Sequence, residues 1–352
     1  MRFLLALFLC IAFASAHAQP HAGLRVAPPS CASVTPQTCA TAQALGRGIN
    51  LGNMLDAPRE GDWGVRVEPA FLDKVAGQFT TVRVPVRWSN HAAPTADAKI
   101  DEAFAQRVDQ VVDGLLAKGV YVILDMHHYS QLSGGALHPH ETGVDPAVLE
   151  PRLLNMWRQI AQRYRDRSPK LLFEVLNEPH DRLNGEPWNA LAAQTLAVVR
   201  ASNPNRIVLI GPGDWNGIWE LPKLRVPSDR NLIVTIHNYD PFNFTHQGAD
   251  WLAKPFPTGT PCCDAAQRQQ IVNALDNARR WSMSNGYPLY LGEWGSYEAA
   301  DMKSRETYTR IVRDEAEKRG IPWAYWEFAS TFGVYSPKTG EWVEPIRRAL
   351  LD

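Results

Sequence analysis

Two glutamates stand at the ends of apolar segments, where a carboxylate can meet both water and a ligand. Glu178 lies in the segment Leu-Asn-Glu-Pro-His, and Glu293 lies in the segment Leu-Gly-Glu-Trp-Gly. Taken singly, such a glutamate is most simply a helix cap or a salt-bridge partner. A pair of carboxyl groups that flank a glycosidic bond can hydrolyse it, since one protonates the leaving oxygen while the other attacks the sugar carbon or activates water. The pair therefore predicts glycoside hydrolysis, provided that the fold brings the two side chains together.

The elements that would position these residues alternate along the chain. Short apolar segments are separated by amphipathic helical patterns such as 101–118, 146–166, 188–202, 265–285 and 299–319. This alternation indicates a parallel sheet with helical crossovers, and eight units predict an α/β fold, a (β/α)8 TIM barrel. A doubly wound open sheet is the alternative, but the G-x-G-x-x-G turn that it often carries is absent. The eight predicted strands are 47–51, 81–86, 121–127, 171–177, 207–211, 232–239, 288–293 and 323–328.

Every predicted strand ends in polar or aromatic side chains, and in barrels of this kind the carboxyl ends of the strands hold the catalytic groups. Alternation within the second strand places its three valines toward the helices, so Arg83 should point into the barrel. Asp125 and Glu174 lie deeper in their strands, and we interpret them mainly as a structural network under the site. The residues at the strand ends are Asn50, Asn53, Arg83, Arg87, His127, His128, Asn177, Glu178, Asp214, Trp215, His237, Tyr239, Glu293, Trp294, Trp326 and Glu327.

The composition is that of a soluble globular protein. Of its 352 residues, 45% are hydrophobic and 21% are charged, which excludes a disordered chain and a polytopic membrane protein. The formal net charge is −1, so no basic field exists that would hold nucleic acid. The 12 tryptophans equal the phenylalanines in number, and indole rings suit both a protein core and the binding of a flat ligand.

The first 18 residues are typical of a secretory signal peptide. One arginine is followed by an apolar run and then by Ala-His-Ala, which is a cleavage pattern. We therefore expect a secreted protein, extracellular or periplasmic, with no membrane association after signal cleavage. Residues 19–44 are rich in proline and alanine and should form an extended N-terminal extension, and residues 45–352 should form one catalytic domain.

Four cysteines follow the signal segment, and an even number in an exported chain suggests disulfides. Four cysteines allow three pairings. One pairs Cys31 with Cys39 and the neighbours Cys262 and Cys263 with each other, whereas the other two join the N-terminal extension to the loop before residue 265. A zinc site is the competing interpretation, but a second ligand pair at metal-binding spacing is missing.

From Gly46 to Leu350 the chain resembles glycoside hydrolase family 5, the retaining β-glycanases of the (β/α)8 clan. It is most similar to single-domain bacterial endo-β-1,4-glucanases, some of which also cut mannans. Asn-Glu-Pro alone would be weak support, but the motifs occur as an ordered set. They are the segments 48–53, 61–64, 82–88, 125–129, 177–179, 237–239, 244–249 and 325–328, together with the glutamate at the end of the seventh strand.

The resemblance implies a double displacement with retention at the anomeric carbon. Glu178 would be the acid/base because it follows an asparagine, and Glu293 would be the nucleophile. Arg83 and Tyr239 would hydrogen-bond Glu293 and hold it ionised, because bonds to the charged form lower a carboxyl pKa. Retention requires the two carboxyl groups to lie about 5–5.5 Å apart, with Glu178 protonated near neutral pH and Glu293 not.

The resemblance also implies the residues that contact sugar. Asn177 would bind the sugar 2-hydroxyl, His127 would contact the sugar in subsite −1, and His237 would sit near Glu178. Trp326 would form the floor of that subsite, and the peptide bond after it is often cis in the family. The expected substrate-binding residues at the edge of the cleft are Asn53, Asp56, Trp63, His128 and Trp251. Asp56 departs from the glutamate that close relatives often carry, which puts its sugar contact in doubt.

The sequence thus predicts a secreted endo-β-1,4-glucanase that acts as a monomer on β-glucan or mannan polysaccharides and oligosaccharides, without a cofactor. A β-mannanase, or an enzyme that cuts both polymers, is the first alternative, because no residue identity here distinguishes glucose from mannose at C2. A non-catalytic carbohydrate-binding protein is the alternative of another class. It would keep the aromatic residues but would have no need of both glutamates with their supporting residues.

His127 and His128 invite a metal interpretation, which we do not favour. Neighbouring residues of a strand point to opposite faces, so the two histidines should be poorly placed to bind one ion, and we expect no metal site. Nine tryptophans divide by position. We expect Trp157, Trp281 and Trp323 in the core and Trp63, Trp215, Trp251 and Trp326 against sugar, whereas Trp88 and Trp294 are ambiguous.

Overall fold

A computed structural model describes residues 27–352, and eight parallel strands in it close into a barrel with the order β1 to β8. The predicted signal segment, residues 1–18, lies outside the described residues. Each strand pairs with the next along the chain, and β1 pairs with β8. The (β/α)8 barrel predicted from the sequence is confirmed. The strands are β1 Arg47–Asn50, β2 Thr81–Val86, β3 Tyr121–Met126, β4 Leu171–Glu174, β5 Val208–Ile210, β6 Leu232–His237, β7 Leu289–Glu293 and β8 Trp323–Tyr325.

Amphipathic helices surround the barrel and bury one face against the strands. Three of them begin at a capping aspartate: the side chains of Asp101, Asp264 and Asp301 each accept a hydrogen bond from the first turn. Within residues 27–352, no helix is both long and apolar enough to cross a membrane. The helices of eight or more residues are Pro36–Ala44, Pro69–Ala76, Glu102–Ala117, Leu149–Tyr164, Glu186–Arg200, Ala265–Asn285, Met302–Lys318 and Glu344–Leu351.

The N-terminal extension is not extended throughout, as we expected, because it contains the helix Pro36–Ala44. Thr35 caps this helix, since its side chain accepts a hydrogen bond from the Thr38 amide, and Pro36 occupies the first helical position, where it costs no hydrogen bond. Ala42 and Leu45 pack with side chains from the barrel interior, among them Ile123. The extension therefore closes the bottom of the barrel.

Of the three cysteine pairings that the sequence allows, the structure has Cys31 bonded to Cys39 and Cys262 bonded to Cys263. All four cysteines are thus disulfide sulfurs, which removes the zinc interpretation for them. The first bridge ties the start of the helix Pro36–Ala44 to the segment before it.

The connection between β5 and β6 differs from the others. Every other strand is joined to the next by a helix of at least eight residues, whereas this connection holds only the short turns Gly213–Asn216 and Ile218–Lys223. The expectation of eight regular strand–helix units is wrong at this point. As a result, the helix Ala265–Asn285 lacks one neighbour in the outer layer.

Candidate active site

The two glutamates meet at the carboxyl end of the barrel. One carboxylate oxygen of Glu178, one of Glu293 and a ring nitrogen of His237 all lie within 4.8 Å of one another. A register shift helps to bring them together: Ile236 pairs with Leu291, but His237 pairs with Glu293, so that β7 carries one extra residue there. The shift places Glu293 directly beside His237.

Arg83 lies fully buried at the centre of this end of the barrel, as the alternation of side chains in β2 predicted. Its guanidinium donates to both oxygens of Glu174 at 2.8 Å and approaches Asp125 to 3.0 Å. It also donates to Glu293 Oε1 at 2.7 Å and to Asn177 Oδ1 at 2.8 Å. The planar donors of arginine therefore fix carboxylates from three strands in one arrangement.

Glu293 has donors on both of its oxygens. Arg83 Nη1 donates to Oε1, and the hydroxyl of Tyr239 donates to Oε2 at 3.1 Å. Burial raises the pKa of Glu293 to about 7, while the guanidinium of Arg83 acts in the opposite direction. Both donated bonds favour the ionised form and aim it at the cleft.

Glu178 is more accessible, because about a quarter of its side chain is exposed (24%), compared with 5% for Glu293. Its backbone has a φ of 48°, in the left-handed region that residues other than glycine seldom adopt. Such outliers cluster at functional sites. Burial raises the pKa of Glu178 to about 7 as well.

His237 stands between the two acids as a neutral base. Its Nδ1 lies 2.8 Å from Glu178 Oε1 and 3.7 Å from Glu293 Oε2. Burial lowers the pKa of His237 to about 4, so the ring is uncharged at neutral pH. A neutral ring leaves the two carboxyl groups to share protons between themselves. Glu293 has the cationic donor Arg83, which favours its ionised form relative to that of Glu178.

One wall of the cleft is a row of stacked rings. His127 and Trp326 are parallel, with centroids 5.4 Å apart, and His127 is fixed by its Nδ1, which lies 2.6 Å from Asp125 Oδ2. Gly52 allows this placement, since a Cβ at that position would lie 2.6 Å from the Trp326 ring. The peptide bond after Trp326 is cis, as the resemblance implied.

The row continues outward from His127. His128 contacts His127 edge to face at 4.4 Å, and Trp63 contacts His128 edge to face at 5.6 Å. The guanidinium of Arg87 lies over the Trp63 ring at 5.2 Å. The predicted sugar-contacting residues Trp326, His127, His128 and Trp63 thus form one continuous surface.

Aromatic rings also flank the cleft elsewhere. Trp215 is 46% exposed and stacks on the ring of His180, with the ring centroids 4.9 Å apart. His180 lies two residues after Glu178 in the chain. Trp251 is 53% exposed and packs edge to face on Tyr297 at 4.9 Å. Exposed rings held by other rings offer flat apolar area to a sugar face.

In the loop that follows β1, Asp56 does not have the role that we predicted. Asp56 is fully buried, and its carboxylate accepts hydrogen bonds from the amides of Asn53 and Met54 at 3.0 and 2.8 Å. The predicted sugar contact of Asp56 is therefore wrong for this structure: the shorter side chain is used by its own loop, where it shapes the backbone around Asn53. Asn53 itself is half-buried, with a φ of 63°.

Among the described residues, two groups of side chains have spacings that would suit a metal ion. One is Glu178, His237 and Glu293, and the other is Asp56, His127 and His128. The two histidines do not point apart as predicted, since their ring nitrogens lie within 4.8 Å of each other. The reason is that β3 ends at Met126, so strand alternation does not extend to them. Both groups are already engaged in the hydrogen bonds and stacking described above.

Sequence reasoning missed two residues that organise the site from below. The carboxylate of Glu327 is fully buried and accepts bonds from the amides of Ala329, Ser330 and Phe332, so it folds the loop that carries the Phe332 ring beside Tyr239. Asn50 accepts a bond from Arg83 and donates to carbonyls of β7 and β8. We placed both residues at strand ends from the sequence, but a glutamate or an asparagine at such a position does not by itself indicate which groups it bonds to.

Trp157 and Trp323 are fully buried, as predicted. Trp281 packs against the core but is only half-buried, so it is not a fully enclosed core residue. The two ambiguous rings, Trp88 and Trp294, are core residues as well.

The family model for cellulases, glycosyl hydrolase family 5, matches residues 43–331. Endoglucanase H of Acetivibrio thermocellus is 34% identical over 303 residues, which is 85% of this chain and 31% of that protein. The chain likewise spans 39% of the cellulase/esterase CelE of the same organism, so it covers a third to two-fifths of these relatives' length.

Solved structures agree with the sequence relatives. Cel5A of Thermotoga maritima in complex with cellobiose superposes with a TM-score of 0.83 at 42% identity, covering 88% of this chain and 99% of that one. A hyperthermophilic endo-β-1,4-glucanase in complex with substrate gives a TM-score of 0.84 at 38% identity, covering 89% and 98%. The chain therefore belongs to glycosyl hydrolase family 5.

Proposed function

We propose that this protein is an endo-β-1,4-glucanase that hydrolyses β-1,4-glucans by a retaining double displacement. The observation that carries the proposal is the pair of carboxylates, with oxygens within 4.8 Å of each other on β7 and just beyond β4. Inverting enzymes need about 6.5–9.5 Å between the carboxyl groups to admit a water, whereas retaining enzymes need about 5–5.5 Å. The endoglucanases among the relatives support the choice of substrate.

In the first step Glu178 donates its proton to the glycosidic oxygen while Glu293 attacks the anomeric carbon. The bond to the leaving chain breaks, and a covalent glycosyl-enzyme forms on Glu293. That bond removes the negative charge of Glu293, which lowers the pKa of Glu178. In the second step Glu178 takes a proton from water as the water attacks the anomeric carbon, and Glu293 leaves as a carboxylate.

Charge and hydrogen bonds support this division of roles. Glu293 is aimed by Arg83 and Tyr239, as a nucleophile must be, and Glu178 is the more exposed of the two, as an acid that reaches a leaving oxygen must be. Asn177 is held by Arg83 beside Glu178, where it would bind the sugar 2-hydroxyl. The ring wall from Trp326 to Trp63 would carry the sugars on one side of the broken bond.

We also propose that the protein is secreted, on the support of the signal-like residues 1–18, and that it acts as a monomer. Mannan is the alternative substrate, and the assay below includes it.

The substrate assignment is tested by reducing-sugar release from carboxymethylcellulose, barley β-glucan, glucomannan, galactomannan and xylan. We expect activity on the two glucans that falls by at least about 1,000-fold in Glu293→Ala, because the covalent route is lost. Glu150→Gln, a change at an exposed helical glutamate, is the matched control and should keep full activity. A folded wild-type protein that releases no sugar from any glucan would overturn the proposal.

The pH profile should report the two glutamates. Activity requires Glu178 protonated and Glu293 ionised, and both pKa values lie near 7, so kcat/KM should give a narrow bell. The alkaline fall belongs to Glu178, which loses its proton as the pH rises.

This assignment is checked with an aryl cellobioside whose leaving group needs no protonation. Glu178→Ala should still form the glycosyl-enzyme from it, and the alkaline fall should disappear from that step. An alkaline fall that persists unchanged in Glu178→Ala would assign the titration to another group.

Tyr239→Phe removes one donor from Glu293 and leaves the ring in place. We expect kcat to fall about 10- to 100-fold with little change in KM, since a hydrogen bond to a charged group contributes about 1.5–3 kcal/mol. The pKa of Glu293 should also rise, so the acid limb of the pH profile should move upward. Tyr297→Phe, at a half-buried ring that makes no bond to either glutamate, is the control. Equal losses in both variants would contradict the role of the Tyr239 hydroxyl.

A further inference from the structure

The irregular connection between β5 and β6 leaves a groove on the outside of the barrel. It lies between the turn Ile218–Lys223 and the helix Ala265–Asn285 and has a volume of about 760 Å³. Neither Glu178 nor Glu293 lines it. Pockets that bind small molecules span about 300–1,000 Å³, so the groove is large enough for an oligosaccharide segment.

The helix presents a face of amides to this groove. Gln269, Gln270, Asn273 and Asn277 follow one another at helical spacing, and all four are exposed. In a regular barrel this face would be covered by the helix after β5, and it would be apolar. Gln269 Nε2 donates to Asn273 Oδ1 at 2.9 Å, and the remaining donors and acceptors of these amides face the groove.

Indole rings lie among these amides. Trp281 lines the groove from the same helix, and Trp219 lines it from the short turn opposite, 58% exposed. The Trp219 ring is held in place because its Nε1 donates to Asp214 Oδ2 at 2.6 Å. Flat rings combined with amides are the chemistry that recognises a sugar, which has apolar faces and a rim of hydroxyls.

A buried amide lies at the wall of the groove. Asn238 is 2% exposed, lines the groove, and has no hydrogen-bond partner among residues 27–352 on either its oxygen or its nitrogen. A buried polar group without a partner costs about 1–3 kcal/mol, and this amide offers one acceptor and one donor group. Both atoms are covered by neighbouring atoms, so a ligand hydroxyl bonds to this amide only if the side chains over it shift.

The groove carries little charge. Asp240 is the one acid among its lining residues, and no lysine or arginine lines it. Burial raises the pKa of Asp240, and Gln270 also contacts it. An anion would find no cation here, and a cation would find one weak partner, so a neutral ligand fits best.

We propose that this groove is a second, non-catalytic binding site for a neutral β-glucan segment. The choice of β-glucan rests on the function proposed above, whereas the class of ligand, a neutral saccharide, rests on the groove itself. β6 joins the two sites, since His237 faces the cleft and the next residue, Asn238, faces the groove. A polymer held there would raise the local concentration of chain near the enzyme.

The test is calorimetric titration of the full chain with cellotetraose, in the Glu293→Ala background so that the sugar survives. We expect two sites. Adding Gln269→Ala and Asn273→Ala should remove one of them and leave the other. Both positions are exposed and helical, where alanine is well tolerated, so the fold should be kept.

Two further variants make the result specific. Ala266→Arg places a long side chain at the groove and should weaken the same site, whereas Gln106→Ala, an exposed amide on another helix, should change nothing. With Glu293 present, the double alanine variant should cleave cellotetraose normally and show a KM for barley β-glucan raised about 3- to 10-fold.

The outcomes separate the two proposals. If only one cellotetraose site is found and the double substitution leaves it unchanged, the groove proposal is overturned. The groove would then be an ordinary hydrated surface. A second site lost on substitution supports it, whether or not the wild-type protein hydrolyses glucan. Loss of the glucanase proposal would be seen in the hydrolysis assay alone.

Discussion

The buried guanidinium of Arg83 is the interaction on which the rest of the site depends. A charge taken fully out of water is costly unless its partners surround it, and Arg83 has carboxylates from β3, β4 and β7 within 3.0 Å. Removing the guanidinium would leave several buried acids unpaired. Its fixed geometry also determines where Glu293 and Asn177 point. The same guanidinium therefore stabilises the buried carboxylates and positions the residues that act on the sugar.

Four carboxyl groups near one guanidinium exceed the charge that it can balance. Burial raises the pKa of Asp125, Glu178 and Glu293 to about 7 each, and the pKa of Glu174 also rises. Protons are therefore held in this network at neutral pH. Glu178 receives no hydrogen bond from Arg83, whereas Glu293 does. Glu178 is therefore the member of the catalytic pair that keeps its proton. This difference allows Glu178 to give up the proton when Glu293 loses its negative charge in the covalent intermediate.

The barrel and the location of the catalytic glutamates could be predicted from the sequence, because they depend on hydrophobic periodicity and on which residues stand at strand ends. Alternating strands and helices gave the barrel, and the valines of β2 placed Arg83 inside. Local backbone geometry was harder to predict. Strand alternation failed for His127 and His128 because β3 ends before them, and the buried position of Asp56 depends on a loop whose shape its own carboxylate sets. The N-terminal helix was missed although Thr35 and Pro36 begin it in an ordinary way.

The absence of a long helix after β5 could not be predicted from the sequence. Hydrophobic periodicity identifies strands and helices, but it does not show whether the residues between two strands form a long helix or short turns. The groove that the short turns leave, with the buried amide of Asn238, could not be anticipated without coordinates.

The central claim is that Glu293, held by Arg83, attacks the sugar and forms a covalent intermediate. The most direct measurement is the proton NMR spectrum of the first sugar released from cellotetraose, recorded before mutarotation. Two displacements at one carbon predict that the β-anomer appears first. Initial release of the α-anomer would mean a single displacement by water, and it would contradict the assignment of Glu293 as the nucleophile.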